Sequence, residues 1–362
     1  MKIIVLAHPN DNHTAPLKWA LERAGYNVVC WIGPGWQPKQ QASIYFDGRV
    51  RMKLGEHTVD EGDVVWIRRP QPPVHHPNTA EADRKFAEGE YRWFNWSALY
   101  LLSELPVRCI NPYDASRHIN NKSVQLLMAA SSGMLVPQTL MSNEPGAVRE
   151  FLRPPRQQAI CKAFFPHIWQ KSEGGMAVTE TFKLREDQLP EDDEVLTYAP
   201  AIYQDLVDKE FDVRMVLLGE TVYSYSVRTP KGALDWRQDA GQGQVEVQAI
   251  ATPSEVEEAV LRFARKAGIS FGSLDFAVDR EGRWWFLEIN EEGQFLWLDE
   301  FDADAHMQEK FLAFLTLPAG ASRAEIEERQ FQFPSWRDYC EAIKEEGPVE
   351  EVNINVGFVS VE

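Results

Sequence analysis

The segment that most constrains the fold is SLDFAVDREGRWWFLEIN, residues 273–290 of this 362-residue chain. Two runs that alternate between apolar and polar residues flank the polar loop at 280–283, which predicts a β-hairpin. We expect Asp279 to pair with Trp284 across this loop. Successive strand residues point to opposite faces of a sheet, so one face of the hairpin is predicted to be apolar. Its members are then Leu274, Phe276, Val278, Trp285, Leu287 and Ile289.

The same register makes the other face polar. Asp275 would lie opposite Glu288, and Ser273 opposite Asn290. Like charges that face each other across a strand pair are destabilising. A hard divalent cation held by oxygen ligands would remove that conflict. The hairpin alone also fits a solvated face of an edge strand pair, so both interpretations stand at this point.

Composition limits the class of protein. A chain of 362 residues suits two or three lobes, and contents of 44% hydrophobic and 25% charged residues are ordinary for a soluble globular protein. No apolar run reaches about 18 residues, and the N-terminus is too quickly polar for a secretory signal. The net charge of −18 argues against duplex nucleic acid as a partner. Four scattered cysteines without a CxxC pair favour free thiols in a reducing cytoplasm.

The first 110 residues predict an α/β lobe. A short apolar strand at 2–7, an amphipathic helix at 14–25 and a second strand at 27–32 indicate a βαβ unit with parallel strands. Another buried strand is expected at 63–67. A helical pattern runs from Ala80 to Ser103, and either Asn78 or Thr79 is the expected cap. No GxGxxG follows the first strand, so a dinucleotide site is unsupported.

Helices and short strands alternate in the rest of the chain. We expect helices at 121–131, at 254–267 and near 303–315, with strands dominating 211–250. Ser254 is the expected N-cap of the second of these helices, with Glu257 in the reciprocal position. The acidic tail, residues 319–362, predicts a helix capped by Ser335 and an alternating strand at 351–361. Packing on the core or contact between copies is the expected role of the tail, and regulation or substrate recognition is the alternative.

Five basic or acidic residues stand out before the hairpin. Lys162 lies in a strand pattern with apolar neighbours, and a buried ammonium needs an anion such as phosphate. Lys122 opens a predicted helix. Strand alternation puts Asp212 and Arg214 on one face, either as a salt-bridge pair or as binding groups. Arg237 follows Trp236 in a loop, and arginine suits bidentate contacts with phosphate or carboxylate.

The order of these motifs resembles the ATP-grasp superfamily. The resemblance covers roughly residues 111–300, with a looser pre-ATP-grasp match in 1–110. It implies an α/β fold with α+β lobes: an N-terminal pre-ATP-grasp βαβ lobe at 1–110, an ATP-grasp domain at 111–318 and a C-terminal extension at 319–362. Within the domain, a nucleotide-covering lobe is expected at about 140–207 and a metal-binding lobe at about 208–318.

The resemblance also implies roles for site residues, with ATP and two Mg²⁺ ions as cofactors. The residues matching phosphate and nucleotide contacts are Lys122 and Lys162. The residues matching the adenine connector and the carboxylate near the ribose are Gln204, Asp205, Leu206 and Asp212. The residues matching the magnesium ligands are Asp275, Glu288 and Asn290. The arginines matching those that face the γ-phosphate and the acyl phosphate, and hence the expected catalytic residues, are Arg214 and Arg237.

Within that superfamily, three stretches resemble the graspetide, or microviridin-type, peptide macrocyclases. They are DVVWIRRP at 63–70, NKSVQ with VPQT at 121–139, and LEINEEGQFLW at 287–297, and the DWR at 235–237 also suits that group. Glutamate-adding ribosomal-protein ligases share the D-x-R and E-x-N parts. This chain departs from the macrocyclase pattern at Glu291 and Glu292, where a proline-containing turn is more usual, and in its tail.

The resemblance therefore implies an ADP-forming ligase that activates a carboxylate as an acyl phosphate. Its partner would be a ribosomally made precursor peptide, in which Asp or Glu side chains join Ser, Thr or Lys side chains as ester or amide rings. A cytoplasmic homodimer without nucleic-acid or membrane partners is expected. The alternatives are an ATP-grasp ligase that adds an amino acid to a peptide or small-molecule carboxylate, and a nucleotide-binding regulator without catalysis.

Some residues keep open roles. His118 and His167 are conceivable general bases, although a lone histidine is more often structural. Residues 171–177, KSEGGMA, have the composition of a lid over the phosphates and equally of an ordinary loop. Arg68 and Arg69 follow a buried strand, where they either line a substrate entrance or hold the lobes together.

Overall fold

The structure is a computed structural model that describes residues 1–154, 158–165, 168–170, 176–179, 181–229, 233–236 and 244–346. For 168–170 and 176–178 it describes the backbone only. Within these residues the strands form five sheets, two of which are small. None of the helices in these ranges is both long enough and apolar enough to cross a membrane.

The N-terminal lobe is built on a parallel sheet. Its elements are β1 (Lys2–Leu6), α1 (Thr14–Arg23), β2 (Asn27–Cys30), β3 (Ala42–Phe46), β4 (Val50–Leu54), β5 (His57–Val59), β6 (Val64–Ile67), α2 (Glu81–Glu104) and β7 (Arg108–Ile110). The strand order is β2-β1-β6-β7 with all neighbours parallel, while β3, β4 and β5 form an antiparallel meander. The predicted parallel βαβ unit is therefore confirmed.

The prediction that Asn78 or Thr79 caps α2 is wrong. Ala80 is the N-cap residue and offers no side-chain hydrogen bond to the helix. The Thr79 hydroxyl instead donates to the His76 carbonyl oxygen at 2.7 Å, within the turn before the helix. Acidic residues in the first turn, Glu81 and Asp83, still suit the positive end of the helix dipole.

A second lobe follows, with an antiparallel sheet. Its elements are α3 (Tyr113–Ile119), α4 (Lys122–Ser131), β8 (Thr139–Ser142), α5 (Pro145–Leu152), β9 (Ala159–Lys162), β10 (Ile168–Gln170), β11 (Met176–Val178), β12 (Phe182–Leu184), α6 (Glu194–Thr197) and β13 (Ala201–Asp205). The sheet order is β12-β9-β13-β8, and β10 pairs with β11. Asn121 caps α4, because its side chain accepts from the Ser123 N–H at 3.1 Å.

The largest sheet carries the predicted hairpin. Its elements are β14 (Lys209–Leu218), β15 (Thr221–Arg228), β16 (Glu246–Ile250), α7 (Ser254–Ala267), β17 (Phe271–Asp279) and β18 (Trp284–Asn290). The order is β16-β15-β14-β17-β18 with antiparallel neighbours. One face packs against α4 and α7 through residues such as Phe263 and Phe286. The other face shares a core with the N-terminal sheet, including Trp66, Phe271 and Phe311.

The predicted capping box at the start of α7 is wrong. Pro253 is the N-cap residue, and the N-cap makes no side-chain hydrogen bond. Ser254 is the first helical residue and its hydroxyl lies 3.3 Å from the Glu255 carboxylate. The predicted end is confirmed, because Gly268 takes the left-handed conformation with φ of 70°, which costs glycine least.

The C-terminal part consists of helices. They are α8 (Leu298–Phe301), α9 (Met307–Thr316), α10 (Arg323–Arg329) and α11 (Trp336–Glu346). The expected Ser335 cap of α11 is confirmed. Its hydroxyl accepts from the Asp338 N–H at 3.2 Å and donates to the Asp338 carboxylate at 2.8 Å. Tyr339 packs edge-on against Trp19 of α1. Residues 323–346 thus pack on the core, and the strand predicted at 351–361 lies outside the described residues.

Candidate active site

The outer half of the β17–β18 hairpin, which is the half farther from its loop, has the predicted register. Ser273 lies opposite Asn290 and Asp275 lies opposite Glu288. Ser273 and Asp275 are only 1% and 6% exposed, which excludes a fully solvated face. Glu288 is half-buried and Asn290 is exposed at the end of the strand. The hairpin therefore brings two carboxylates and an amide to one partly buried edge.

The predicted register of the inner half, which is the half nearer the loop, is wrong. The pairing shifts by one residue between Asp275 and Phe276, so that Trp284 lies opposite Val278 rather than Asp279. Phe286 and Trp284 thereby join the apolar face, in place of the predicted Leu287 and Trp285. The Phe286 N–H donates to the Leu135 carbonyl at 2.8 Å, and this contact from outside the hairpin accompanies the bulge.

Both carboxylates of the hairpin are paired with cations of the protein. Arg214 Nη1 lies 2.7 Å from Asp275 Oδ1, with both side chains buried. Lys122 Nζ lies 2.7 Å from Glu288 Oε2 at the start of α4. These pairs neutralise charges that would otherwise repel across the strands.

Asp212 does not form the in-strand pair with Arg214 that the sequence left open. Its carboxylate instead accepts from Lys209 Nζ at 2.6 Å. Burial raises the pKa of Asp212 to about 6, against the opposing effect of the Lys209 charge. Asp212 thus supplies a buried acid on the same strand as Arg214.

Lys162 extends from β9 beside a buried glutamine. Its Nζ donates to Gln204 Oε1 at 3.1 Å, and Gln204 Nε2 donates to the Thr139 hydroxyl at 2.8 Å. Gln204 is fully buried in β13. The pairing of β13 with β8 and β9 therefore orients the Lys162 ammonium through a chain of two hydrogen bonds.

A cleft of about 860 Å³ joins these groups. The residues of the predicted set that line it are Lys122, Lys162, Gln204, Asp212, Asp275, Glu288 and Asn290. Arg214 is not among the lining residues, but it is paired with Asp275, which is. Asp205 and Leu206, at the end of β13, are not among the lining residues in the described part of the chain. Arg237 lies outside the described residues, but the neighbouring Asp235 and Trp236 line the cleft.

The two adjacent arginines after β6 have different positions. Arg68 is 1% exposed, lies 3.5 Å from Asp11 and donates to the Glu292 carbonyl oxygen, so it joins the N-terminal lobe to the loop after β18. Burial lowers the pKa of Arg68 to about 10. Arg69 lines the cleft instead. Each of the two roles left open by the sequence therefore fits one of these residues.

Several cleft residues were not predicted from the sequence. Arg117 of α3 is the clearest, and Asn120, Phe164 and Thr181 are others. The only signal for Arg117 is its position just before the Asn-Asn-Lys run at 120–122. His118 is exposed and does not line the cleft, while His167 and residues 171–175 lie outside the described residues.

Three buried side chains hold the ends of the hairpin strands and the segment after β18. Gln125 bonds both backbone groups of Ile289, at 3.0 and 3.2 Å. Asn111 donates to the Phe271 carbonyl at 2.8 Å and accepts from its N–H at 2.9 Å. His13 Nε2 accepts from the N–H groups of Phe295 and Leu296. Burial and the Arg68 charge hold the pKa of His13 well below its usual range, which suits a neutral acceptor.

The donor atoms of Asp275, Glu288 and Asn290 are all oxygens, as Mg²⁺ requires. Within the described residues, no group of three or more His, Cys, Asp or Glu side chains is placed to hold a metal. Mg²⁺ commonly binds one or two carboxylates and completes its shell with water and substrate phosphates. The residues present therefore fit a metal bound together with a phosphate ligand, and do not form an all-protein cage.

Comparisons with known proteins agree with this architecture. Over 160 residues the chain is 31% identical to D-alanine–D-alanine ligase of Alkalilimnicola ehrlichii, covering 40% of this chain and 49% of that protein. The chain thus matches about half the length of this curated relative. No family model matches.

Solved structures match over most of the chain. An ATP-grasp ligase of Chryseobacterium gregarium, RiPP-associated and in complex with ADP and a leader and core peptide, has a TM-score of 0.76 at 22% identity, covering 89% of this chain and 99% of that one. The macrocyclase MdnC of Microcystis aeruginosa, bound with precursor peptide MdnA, has a TM-score of 0.70 at 21% identity, covering 87% and 99%. ATP-grasp ligase PsnB, complexed with a minimal precursor variant, Mg and ADP, has a TM-score of 0.66 at 20% identity, covering 87% and 97%.

These similarities show that the chain has the ATP-grasp fold, and the predicted fold is confirmed. The predicted boundaries of its lobes and the roles of its site residues stay predictions.

Proposed function

We propose that this protein is an ATP-dependent, ADP-forming ligase that activates a carboxylate of a ribosomally made precursor peptide and closes side-chain ester or amide rings. The observation that carries the proposal is the composition of one cleft in an ATP-grasp fold. Lys122 and Lys162 supply ammonium groups to this cleft, and the β17–β18 hairpin supplies Asp275, Glu288 and Asn290 to it.

In this proposal each group has a binding task. Lys122 and Lys162 contact phosphate oxygens, while Gln204 contacts adenine. Asp205 and Leu206 would extend the adenine site beyond the lining of the cleft. Asp212 lies near the ribose. Asp275, Glu288 and Asn290 would hold two Mg²⁺ ions. When bound, these ions would neutralise charge on the phosphates during phosphoryl transfer.

The chemical step follows from the substrate groups. A carboxylate oxygen of the peptide attacks the γ-phosphorus, the bond to ADP breaks, and an acyl phosphate forms. A Ser or Thr hydroxyl or a neutral Lys amine of the same peptide then attacks the carbonyl carbon, and the phosphate leaves as hydrogen phosphate with the proton that the nucleophile loses. Arg214 and Arg237 would stabilise the negative charge that develops on the phosphoryl oxygens. The buried position of Arg214 next to Asp275 supports this role, because a charge is more effective away from water.

The peptide substrate is supported by the solved structures with this fold. Three of them are complexes with a precursor peptide or with leader and core peptides, and two of those also contain ADP. The similarity to a D-alanine–D-alanine ligase favours a second candidate, the addition of a free amino acid to a carboxylate. A homodimer stays a prediction.

Product mass separates the two candidates. The protein is incubated with Mg-ATP, a mixture of free amino acids and acidic, Thr-rich candidate peptides, and each product is weighed by intact-mass spectrometry. Loss of one water per turnover indicates ring closure, and gain of one residue indicates ligation. Peptide-dependent ADP release without any change of mass contradicts both.

Site variants test the metal assignment in the same assay. Asp275→Ala and Glu288→Ala are expected to abolish ADP release that depends on the peptide. Glu281→Ala is the matched control, because Glu281 is an exposed carboxylate at the loop end of the same hairpin. Turnover at the wild-type rate in either of the first two variants contradicts the assignment.

A further inference from the structure

A smaller cavity of about 290 Å³ adjoins the cleft, and we call it the side chamber. It shares five lining residues with the cleft, namely Arg69, Arg117, Asn120, Glu291 and Glu292. Its far wall is formed by Leu99 and Asn95 of α2 and by Tyr113. Because Glu291 and Glu292 directly follow Asn290, the chamber opens at the end of the cleft that holds the proposed metal ligands.

Two arginines dominate the charge at the mouth of this chamber. Arg69 and Arg117 are both exposed and line both cavities. Across the described ranges, neither guanidinium makes a hydrogen bond or ion pair with another residue. Arg68 and Arg214 nearby are buried and paired with Asp11 and Asp275. Arg69 and Arg117 therefore have donors available for a ligand.

Two arginines and two glutamates line the chamber, and the arginines are the more exposed. Glu291 is 7% exposed and Glu292 is half-buried, so their carboxylates present less surface than the two guanidinium groups. A guanidinium binds a carboxylate with two parallel hydrogen bonds. Leu99, Ile67 and Tyr113 supply apolar wall for an aliphatic stem.

We propose that Arg69 and Arg117 form a subsite of the side chamber that binds an acidic side chain of the peptide substrate beside the proposed metal ligands. This inference rests on the proposed function and specifies its substrate as a peptide with free Asp or Glu carboxylates. The small volume of the chamber fits a side chain rather than a folded partner.

Binding of two matched peptides tests the subsite. One is an acetylated, amidated dodecapeptide of repeated Thr-Glu-Ser-Asp, and its neutral twin has Gln and Asn in place of Glu and Asp. Calorimetric titration is done with the full-length protein, Mg²⁺ and a non-hydrolysable ATP analogue. The wild type is expected to bind the acidic peptide at least about tenfold more tightly than the twin, as charge-assisted hydrogen bonds predict.

The double variant Arg69→Gln, Arg117→Gln should lose this preference and still bind the ATP analogue like the wild type. Arg69→Lys with Arg117→Lys should restore part of it, because the charge returns without the planar fork. Arg337→Gln removes one arginine charge, half of that change, on the exposed side of α11 and should keep the full preference.

Each failure has its own meaning. If the wild type does not bind the Mg²⁺-ATP analogue, the proposed function fails. If it binds the nucleotide but binds both peptides equally, the subsite is refuted while the proposed function stands. The same conclusion follows if the Arg69→Gln, Arg117→Gln protein binds nucleotide normally and still prefers the acidic peptide as the wild type does.

Discussion

Gln125 offers a direct test of how the candidate metal site is held in place. Its Nε2 donates to the Ile289 carbonyl at 3.0 Å, and its Oε1 accepts from the Ile289 N–H at 3.2 Å. β18 is an edge strand, so this carboxamide takes the position that a further strand would occupy. Ile289 separates Glu288 from Asn290. The two bonds therefore fix the strand between two of the proposed magnesium ligands.

Replacing Gln125 by Met keeps the length of the side chain and removes both bonds. Gln125 is 3% exposed and Ile289 is 4% exposed, so water does not readily replace them. Two hydrogen bonds contribute about 1–3 kcal/mol together to the free energy of unfolding. Loss of groups that orient metal ligands typically weakens metal affinity by about 10- to 100-fold. We therefore expect Gln125→Met to raise the Mg²⁺ concentration needed for half-maximal binding of a fluorescent ATP analogue by at least about tenfold.

The matched control is Gln332→Met, which makes the same change at an exposed position far from the cleft. Urea denaturation of both variants separates stability from metal affinity. A Gln125→Met protein that is less stable but keeps the wild-type Mg²⁺ dependence shows that Gln125 supports only the fold. That result refutes the positioning role.

Two further predictions concern stability. Burial raises the pKa of Asp299 to about 7, whereas an unfolded Asp titrates near about 4, so the folded protein binds this proton more tightly. The free energy of unfolding should therefore fall as the pH rises from about 4 to about 7. Asp299→Asn should reduce this fall when the free energy of unfolding is measured by urea denaturation across that pH range. A variant with the same pH dependence as the wild type contradicts the prediction. Truncation after Pro318 removes the buried Ile326 and Phe333 and should lower the free energy of unfolding by about 3–6 kcal/mol. An unchanged urea midpoint would show that the tail adds nothing to stability.

The hairpin shows how far sequence periodicity reaches. Its outer half is predictable because polar residues recur at every second position, and only one register sets Asp275 opposite Glu288. The inner half reads Trp-Trp-Phe-Leu, which is apolar in both phases. The contact between the Phe286 N–H and the Leu135 carbonyl selects the phase. That contact joins segments about 150 residues apart, so the local pattern contains no trace of it.

The residues of the cleft also fall into those that the sequence predicts and those that it does not. Lys162 and Asp212 are predictable because a charge within an apolar strand pattern is costly to bury unless a binding partner compensates it. Arg117 is not, because an arginine in the last turn of a short helix reads as an ordinary surface residue. Arg68 and Arg69 have the same chemistry and adjacent positions. Their difference arises where the N-terminal lobe meets the loop after β18, because Arg68 lies beside Asp11 and donates to the Glu292 carbonyl oxygen there.

The charges around the hairpin reveal a possibility that its sequence pattern does not contain. The pattern leaves a choice between a solvated face and a metal site, and the burial of Asp275 excludes a fully solvated face. In the structure, however, both carboxylates are neutralised by the protein, through Arg214 and Lys122. Lys122 and Arg214, the proposed phosphate-binding and catalytic cations, thus contact the carboxylates that would hold Mg²⁺. Because nucleotide phosphates attract those same cations, binding of Mg²⁺ and of ATP at this hairpin is expected to be coupled through the exchange of these ion pairs.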